Sequence, residues 1–180
     1  MKEIIDETKQ NMTLADAGTV CNSPYPLVLH PARHVDVIIS FDFSQNLNHT
    51  KDNVGELIKA EKWAKKRGLP FPDVEKEIET KPIREDEVMR EFKTGNSPYI
   101  LHFMMNAEKF LRQESSVSSG LTTDEREKTT EYTLNKFETM KLNYSELEFK
   151  WLSKLMEFNV RESQKLIRDC IQRASTTNQG

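Results

Sequence analysis

The chain has 180 residues, 36% of them hydrophobic and 31% charged, with a mean hydropathy of −0.69; that is enough for one domain with a real core. The net charge of −3 and the pI near 5.9 argue against nucleic acid as a partner, because phosphate binding needs a concentrated basic surface. No apolar run approaches a membrane span, and two separated cysteines, Cys21 and Cys170, form neither a zinc pattern nor an implied disulfide.

Residues 1–13 are polar and read as a lead-in, with only Ile4 and Ile5 apolar together. This acidic start lacks the apolar run of a signal peptide, so a reducing, cytoplasmic setting is expected. In that setting the Asn-x-Ser/Thr matches at Asn11, Asn48 and Asn143 carry no weight. Asp16-Ala17-Gly18 then forms a turn motif. A proline-punctuated loop follows, Asn22-Ser23-Pro24-Tyr25-Pro26, and then a strand over 35–44. In it Val35, Val37, Ile39, Phe41 and Phe43 alternate on one face. Ile38 on the other face implies that both faces are partly covered, as in a parallel sheet flanked by helices.

A helix is expected over 54–67, with Leu57, Ile58, Ala60 and Ala64 as a loose apolar stripe. Gly68 sits at a left-handed C-cap and Pro70 just beyond it. Lys65-Lys66-Arg67, balanced by Glu56 and Glu61, reads as a solvated face. Residues 73–97 read as an acidic, irregular surface loop with a short element. A second strand over 99–105 completes a βαβ-like unit. Residues 113–130 read as a polar loop. Ser145 and Glu148 have capping-box spacing and start a helix carrying Leu147, Trp151, Leu152, Leu155 and Met156. Asn159 and Glu162 repeat that spacing and are expected to start a second helix, with Ile167, Cys170, Ile171 and Ala174.

The stretch from Leu14 to Ser44 resembles the catalytic-aspartate region of the cytosolic (group IV) phospholipase A2 family. Glu61-Lys62-Trp63-Ala64 with Leu69-Pro70-Phe71-Pro72 extends the likeness, as do Ile100-Leu101-His102-Phe103, Tyr132 to Phe137, Tyr144 and Phe158 to Glu162. It covers about residues 14–174, densely to residue 72 and sparsely after it. The resemblance implies an α/β fold: the C-terminal part of a patatin-like three-layer domain with a central mixed or parallel sheet, ending in α-helices, with 175–180 as a tail. It also implies a lysophospholipase or phospholipase A2 activity on glycerophospholipid acyl esters.

In that family a Ser-Asp dyad acts without histidine, and the motif match puts the aspartate at Asp16. A carboxylate within reach of a serine hydroxyl takes its proton directly. The family's nucleophile lies in a Gly-x-Ser-Gly-Ser elbow, a pattern that this sequence lacks. Only fifteen residues precede Asp16, so the expectation is one dyad member here, a missing N-terminal half of the catalytic domain as partner, and no turnover by the chain alone. The family's glycine-rich oxyanion loop and its upstream phosphate arginine have no counterpart in this sequence, and no prenylation is expected, since the sequence does not end in a Cys-a-a-X box.

Arg33 stands where an arginine recurs in the family and is the candidate for the substrate phosphate; its bland alternative is a surface pair with Asp36 or a glutamate. Asp42 is a candidate second acid or, more simply, a loop-ordering residue. Ser23, Ser40 and Ser44 lack the flanking glycines of a nucleophile elbow. The four histidines, His30, His34, His49 and His102, read as dispersed rather than as metal ligands, with His102 a satisfied core residue. No metal and no cofactor are expected in this chain; calcium would enter only through the separate lipid-binding module that many members carry. The expected partner surface is phospholipid, with peripheral membrane association and no nucleic acid. The competing reading is a non-catalytic interaction fragment or pseudoenzyme on the same scaffold.

Overall fold

A computed structural model describes residues 23–42, 54–112, 118–137 and 141–177. Its elements begin with a single turn, α1 (Tyr25–Val28), and a 3-10 turn (Pro31–Arg33) that lead into strand β1 (Val37–Asp42). Helices α2 (Gly55–Lys65) and α3 (Val74–Thr80) precede strands β2 (Met89–Phe92) and β3 (Tyr99–Met104). Short helices α4 (Glu108–Arg112) and α5 (Thr123–Lys128) and a 3-10 turn (Leu134–Phe137) lead to the long helices α6 (Glu146–Glu162) and α7 (Gln164–Thr177).

The strands form a mixed sheet of order β1-β3-β2. β1 runs parallel to β3, with Val37 opposite Tyr99 and Asp42 opposite Met104. β2 is antiparallel to β3, with Met89 opposite Phe103. The expected βαβ relation between the two longer strands is therefore present, with α2 in the crossover. Because side chains alternate along a strand, the sheet has two distinct faces. One presents Ile38, Ile100, Met104 and Phe92 to a cluster with Leu57, Ala60 and Ala64 of α2 and Val74 and Ile78 of α3. The other presents Leu101, Phe103 and Met89 to Cys170 and Ile167 of α7. Helices on both faces of a mixed sheet make the three layers.

Several boundaries move. The strand is shorter than the apolar run: Val35 and Asp36 lie before β1, and Phe43 and Ser44 lie outside the described residues. The loop expected over 73–97 is corrected to a helix and a strand. α3 holds only two apolar side chains, Val74 and Ile78, four apart on one face. β2 carries Arg90 into the interior, where its guanidinium donates to the carbonyls of Lys81 (2.5 Å) and Pro82 (3.0 Å) and pairs with Glu87. A charge in a four-residue strand hides the strand from an apolar pattern; three satisfied donors permit its burial.

The polar loop expected over 113–130 is likewise corrected in part, because α5 occupies Thr123–Lys128. Thr122 accepts from the Glu125 amide while Glu125 accepts from the Thr122 amide, a complete capping box. The capping box at Ser145 and Glu148 forms as expected. The one expected at Asn159 does not. Asn159 lies inside α6, fully buried, and its side-chain amide donates to the Asn106 carbonyl at 3.0 Å. The backbone is helical on both sides of Asn159, so no helix begins there, and the chain turns at Ser163 instead. Gly68 takes φ 66° after α2, as expected. The basic run at the end of α2 is solvated and paired: Lys65 bridges Glu61 (2.5 Å) and Asp73 (2.8 Å), and Arg67 lies over Trp63. Buried Glu61 also accepts the Glu75 amide at 2.9 Å, tying α2 to the start of α3.

The α6 cap sets a pH dependence. A hydrogen bond from Lys141 (2.8 Å), then one from the Ser145 amide, hold the Glu148 carboxyl at about 2, below its ordinary 4.5. A folded-state value depressed in this way stabilises the fold above the unfolded value, and the contribution is lost as pH falls. The urea midpoint is expected to decline as pH drops from about 4.5 toward 2. Glu148→Gln should make that decline shallower; urea titrations of both chains at a series of pH values check it.

Candidate functional site

The loop before β1 is built by its prolines. Pro24 and Pro26 flank Tyr25, whose buried ring meets Phe71 edge-on at 5.5 Å, so α1 is pinned to the exit of α2. Pro31 sets φ for the next turn, and His30 caps it by accepting the Ala32 amide at 3.3 Å. His34 closes the turn in the left-handed region, φ 47°, a conformation uncommon for a side-chain-bearing residue. The result holds His30, Arg33 and His34 on one exposed turn at the N-terminal end of β1. Among the described residues no carboxylate pairs with Arg33, so the surface pair with Asp36 is not formed; Asp36 instead gives its carbonyl to the Tyr99 amide at 2.8 Å. The two histidines beside Arg33 are the feature that reading the histidines as dispersed had missed. Pro31 between His30 and His34 was the available signal.

A cleft of about 650 Å³ opens beside this turn. Its walls include Leu29, His30, His34 and Val35 on one side and Leu69, Pro70 and Pro98 on the other. The lining combines apolar walls with a few polar groups, as small-molecule sites do.

Asp42 sits at the opposite end of β1, buried. Five strand steps, roughly 17 Å, separate the two ends, so Arg33 and Asp42 do not share a site. His102 is buried, and its Nδ1 lies 3.3 Å from Ser40 Oγ, as expected of a satisfied core histidine. That contact makes neither residue a nucleophile pair, since β1 has no elbow turn at Ser40. Asp16, Cys21, Ser44 and His49 lie outside the described residues. Among the described residues no cluster of His, Cys, Asp and Glu has the makings of a metal site, and no helix is long and apolar enough to cross a membrane.

This arrangement of mixed sheet and flanking helices is the fold of a portion of the cytosolic phospholipase A2 catalytic domain. Two solved structures of human GIVD cytosolic phospholipase A2 align with it. One, in complex with methyl gamma-linolenyl fluorophosphonate and terbium chloride, gives a TM-score of 0.66 at 23% identity over 94% of this chain. The other, with the fluorophosphonate, gives 0.62 at 25% identity over 92% of this chain. In sequence the chain is 32% identical over 172 residues to mouse cytosolic phospholipase A2 zeta, a match taking in 92% of it. No protein-family model matches the chain. The chain belongs to the group IV cytosolic phospholipase A2 family. It spans 19% of the mouse relative and 24% of each human chain.

Proposed function

We propose that this chain is the C-terminal part of a patatin-like phospholipase A2 or lysophospholipase and carries the general base of its Ser-Asp dyad, Asp16. The observation that carries the proposal is the likeness to mouse cytosolic phospholipase A2 zeta. It takes in 92% of the chain, and the roles of Asp16 and Arg33 are carried over from their places in the family's motif. In the proposed reaction the Asp16 carboxylate removes the proton of a serine hydroxyl supplied by the rest of a family-length protein. The serine oxygen attacks the acyl carbonyl, and the proton passes to the departing lysophospholipid oxygen. Asp16 then deprotonates the water that releases the fatty acid. Oxyanion donors come with the serine. Arg33, on its exposed turn, meets the substrate phosphate. The setting is cytosolic, at a phospholipid surface, and the chain itself supplies no metal or cofactor to this chemistry.

The test joins the chain to mouse cytosolic phospholipase A2 zeta in place of the portion it matches. Hydrolysis of a thioester phospholipid analogue is expected from the joined protein and not from the 180-residue chain alone. A joined, folded protein without turnover, beside an active mouse enzyme, would count against the reading and for a non-catalytic scaffold. In the joined protein Arg33→Ala should lower kcat/KM about tenfold, mainly through KM, as loss of one charge-assisted contact does. A fall confined to kcat would place Arg33 elsewhere in the reaction.

A further inference from the structure

We propose that the cleft between the turn at His30–His34 and the exit of α2 is a binding site for a single fatty-acid chain, its carboxylate on His30 and His34 and its tail along the apolar walls. The proposal goes beyond the reading above and does not depend on Asp16.

The walls are apolar and fixed in place. Val28, Val35 and Leu69 pack against the core cluster of α2 and α3 yet stay only partly buried, and each also lines the cleft. Pro31, Pro70 and Pro98 line it too, and their rings fix φ. The loop that carries Pro98 is tied down. The Thr94 amide donates to Ser97 Oγ at 3.1 Å, the Ser97 amide to the Thr94 carbonyl at 3.0 Å, and Ser97 Oγ to the Pro98 carbonyl at 3.2 Å. On the other wall the Leu69 amide donates to the Ala64 carbonyl at 3.0 Å. Apolar surface held open in this way needs little ordering when a ligand's methylenes cover it. Its volume, about 650 Å³, lies within the range of clefts that hold one small ligand.

The polar lining selects the head group. His30 Nδ1 accepts the Ala32 amide, so the neutral ring carries its proton on Nε2 and offers a donor there. His34 is held at φ 47°, a strained backbone of the kind that gathers at ligand sites. Among the described residues its imidazole has no hydrogen-bond partner. Two imidazole donors on one turn suit a carboxylate, whose oxygens only accept. The lining holds no lysine or arginine, and it includes Asp36. A monoanion therefore fits, where a phosphate dianion would meet stronger repulsion. Apolar walls with donors at one end match the shape and charge of a fatty acid.

The test titrates octanoate, decanoate and dodecanoate, each below its micelle concentration, into the full 180-residue chain by isothermal titration calorimetry. One-to-one binding is expected, tightening by about threefold for each added methylene, the increment of one buried CH₂. His30→Asn keeps a capping side chain, and His34→Asn keeps a residue that tolerates the left-handed region. Each should weaken dodecanoate binding by about tenfold, as losing a charge-assisted contact does. Asp36→Asn should tighten it by about twofold or more, since the Asp36 contact that holds the fold is its carbonyl, on the Tyr99 amide. Circular dichroism of each variant separates lost binding from lost folding. Binding indifferent to tail length, or unchanged in both histidine variants, would overturn the proposal. So would decanol matching decanoate, or a lysophosphatidate of equal tail binding more tightly than dodecanoate. In the protein joined to the mouse enzyme, dodecanoate binding sensitive to His30→Asn is expected to persist. Its disappearance there would show that the remainder of the protein fills the cleft, and would likewise overturn the proposal.

Discussion

Asp16→Asn in the joined, family-length protein is expected to reduce turnover by about 10²–10⁴-fold, the span that a positioned general base contributes. Asparagine keeps the size and the turn-forming side chain of aspartate but cannot take a proton. The fold should therefore survive while the serine loses its acceptor. The loss should fall on kcat, because a group acting on the nucleophile stabilises the transition state and not the bound substrate. Steady-state kinetics with the thioester analogue, alongside thermal unfolding of both proteins, separate this outcome from simple destabilisation. A variant within twofold of the parent would remove Asp16 from the chemistry.

Trp151→Ala is expected to cost about 3–5 kcal/mol of stability, the range for truncating a buried aromatic. Trp151 is 1% exposed at the centre of the helical cluster. Its ring stacks on Phe137 at 5.0 Å, meets Phe110 edge-on at 5.5 Å and lies 6.0 Å from Tyr132. One deletion therefore opens a cavity and removes three aromatic pairs that join α6 to α4 and to the turn before α6. Since a domain of this size is stable by only about 5–15 kcal/mol, the loss is a large fraction of the whole, and the urea midpoint of the variant should fall far below that of the parent. Phe149→Ala, on the outer face of the same helix at 65% exposure, should shift the urea midpoint little. Equal effects of the two would mean that this cluster does not hold the helices.

The elements legible in the sequence are those whose stability is local or whose burial is simple. β1 and β3 announce themselves by β-branched and aromatic runs, and α6 by its capping box and the Trp151–Leu155 face. α5 was equally marked by Thr122 and Glu125, but its wholly polar sequence drew the reading toward a loop. β2 was hidden for a different reason: Met89-Arg90-Glu91-Phe92 becomes a strand only because β3 offers it an edge and two carbonyls receive Arg90. Asn159 misled because its spacing to Glu162 is that of a cap, while its partner, Asn106, is 53 residues away. The exposure of Ile39 and Phe41 was also beyond local pattern. Alternation places them on the apolar face, yet how much of that face is covered depends on where α7 lies. Of the site, the turn at Arg33 was foreshadowed by Pro31, whereas the company of His30 and His34 needed the fold. The role of Asp16 rests on its motif, outside the described residues.

The central claim, that this chain brings the base and another part of the protein brings the nucleophile, is tested most directly by covalent labelling. A fluorophosphonate phosphonylates an activated serine: the serine oxygen bonds to phosphorus, fluoride departs and the base takes the proton. The joined protein would be treated with such a reagent and its adduct mapped by mass spectrometry. The predicted result is one adduct on a serine of the mouse-derived portion, formed far more slowly in Asp16→Asn. An adduct on a serine within these 180 residues, or a labelling rate indifferent to Asp16→Asn, would contradict it.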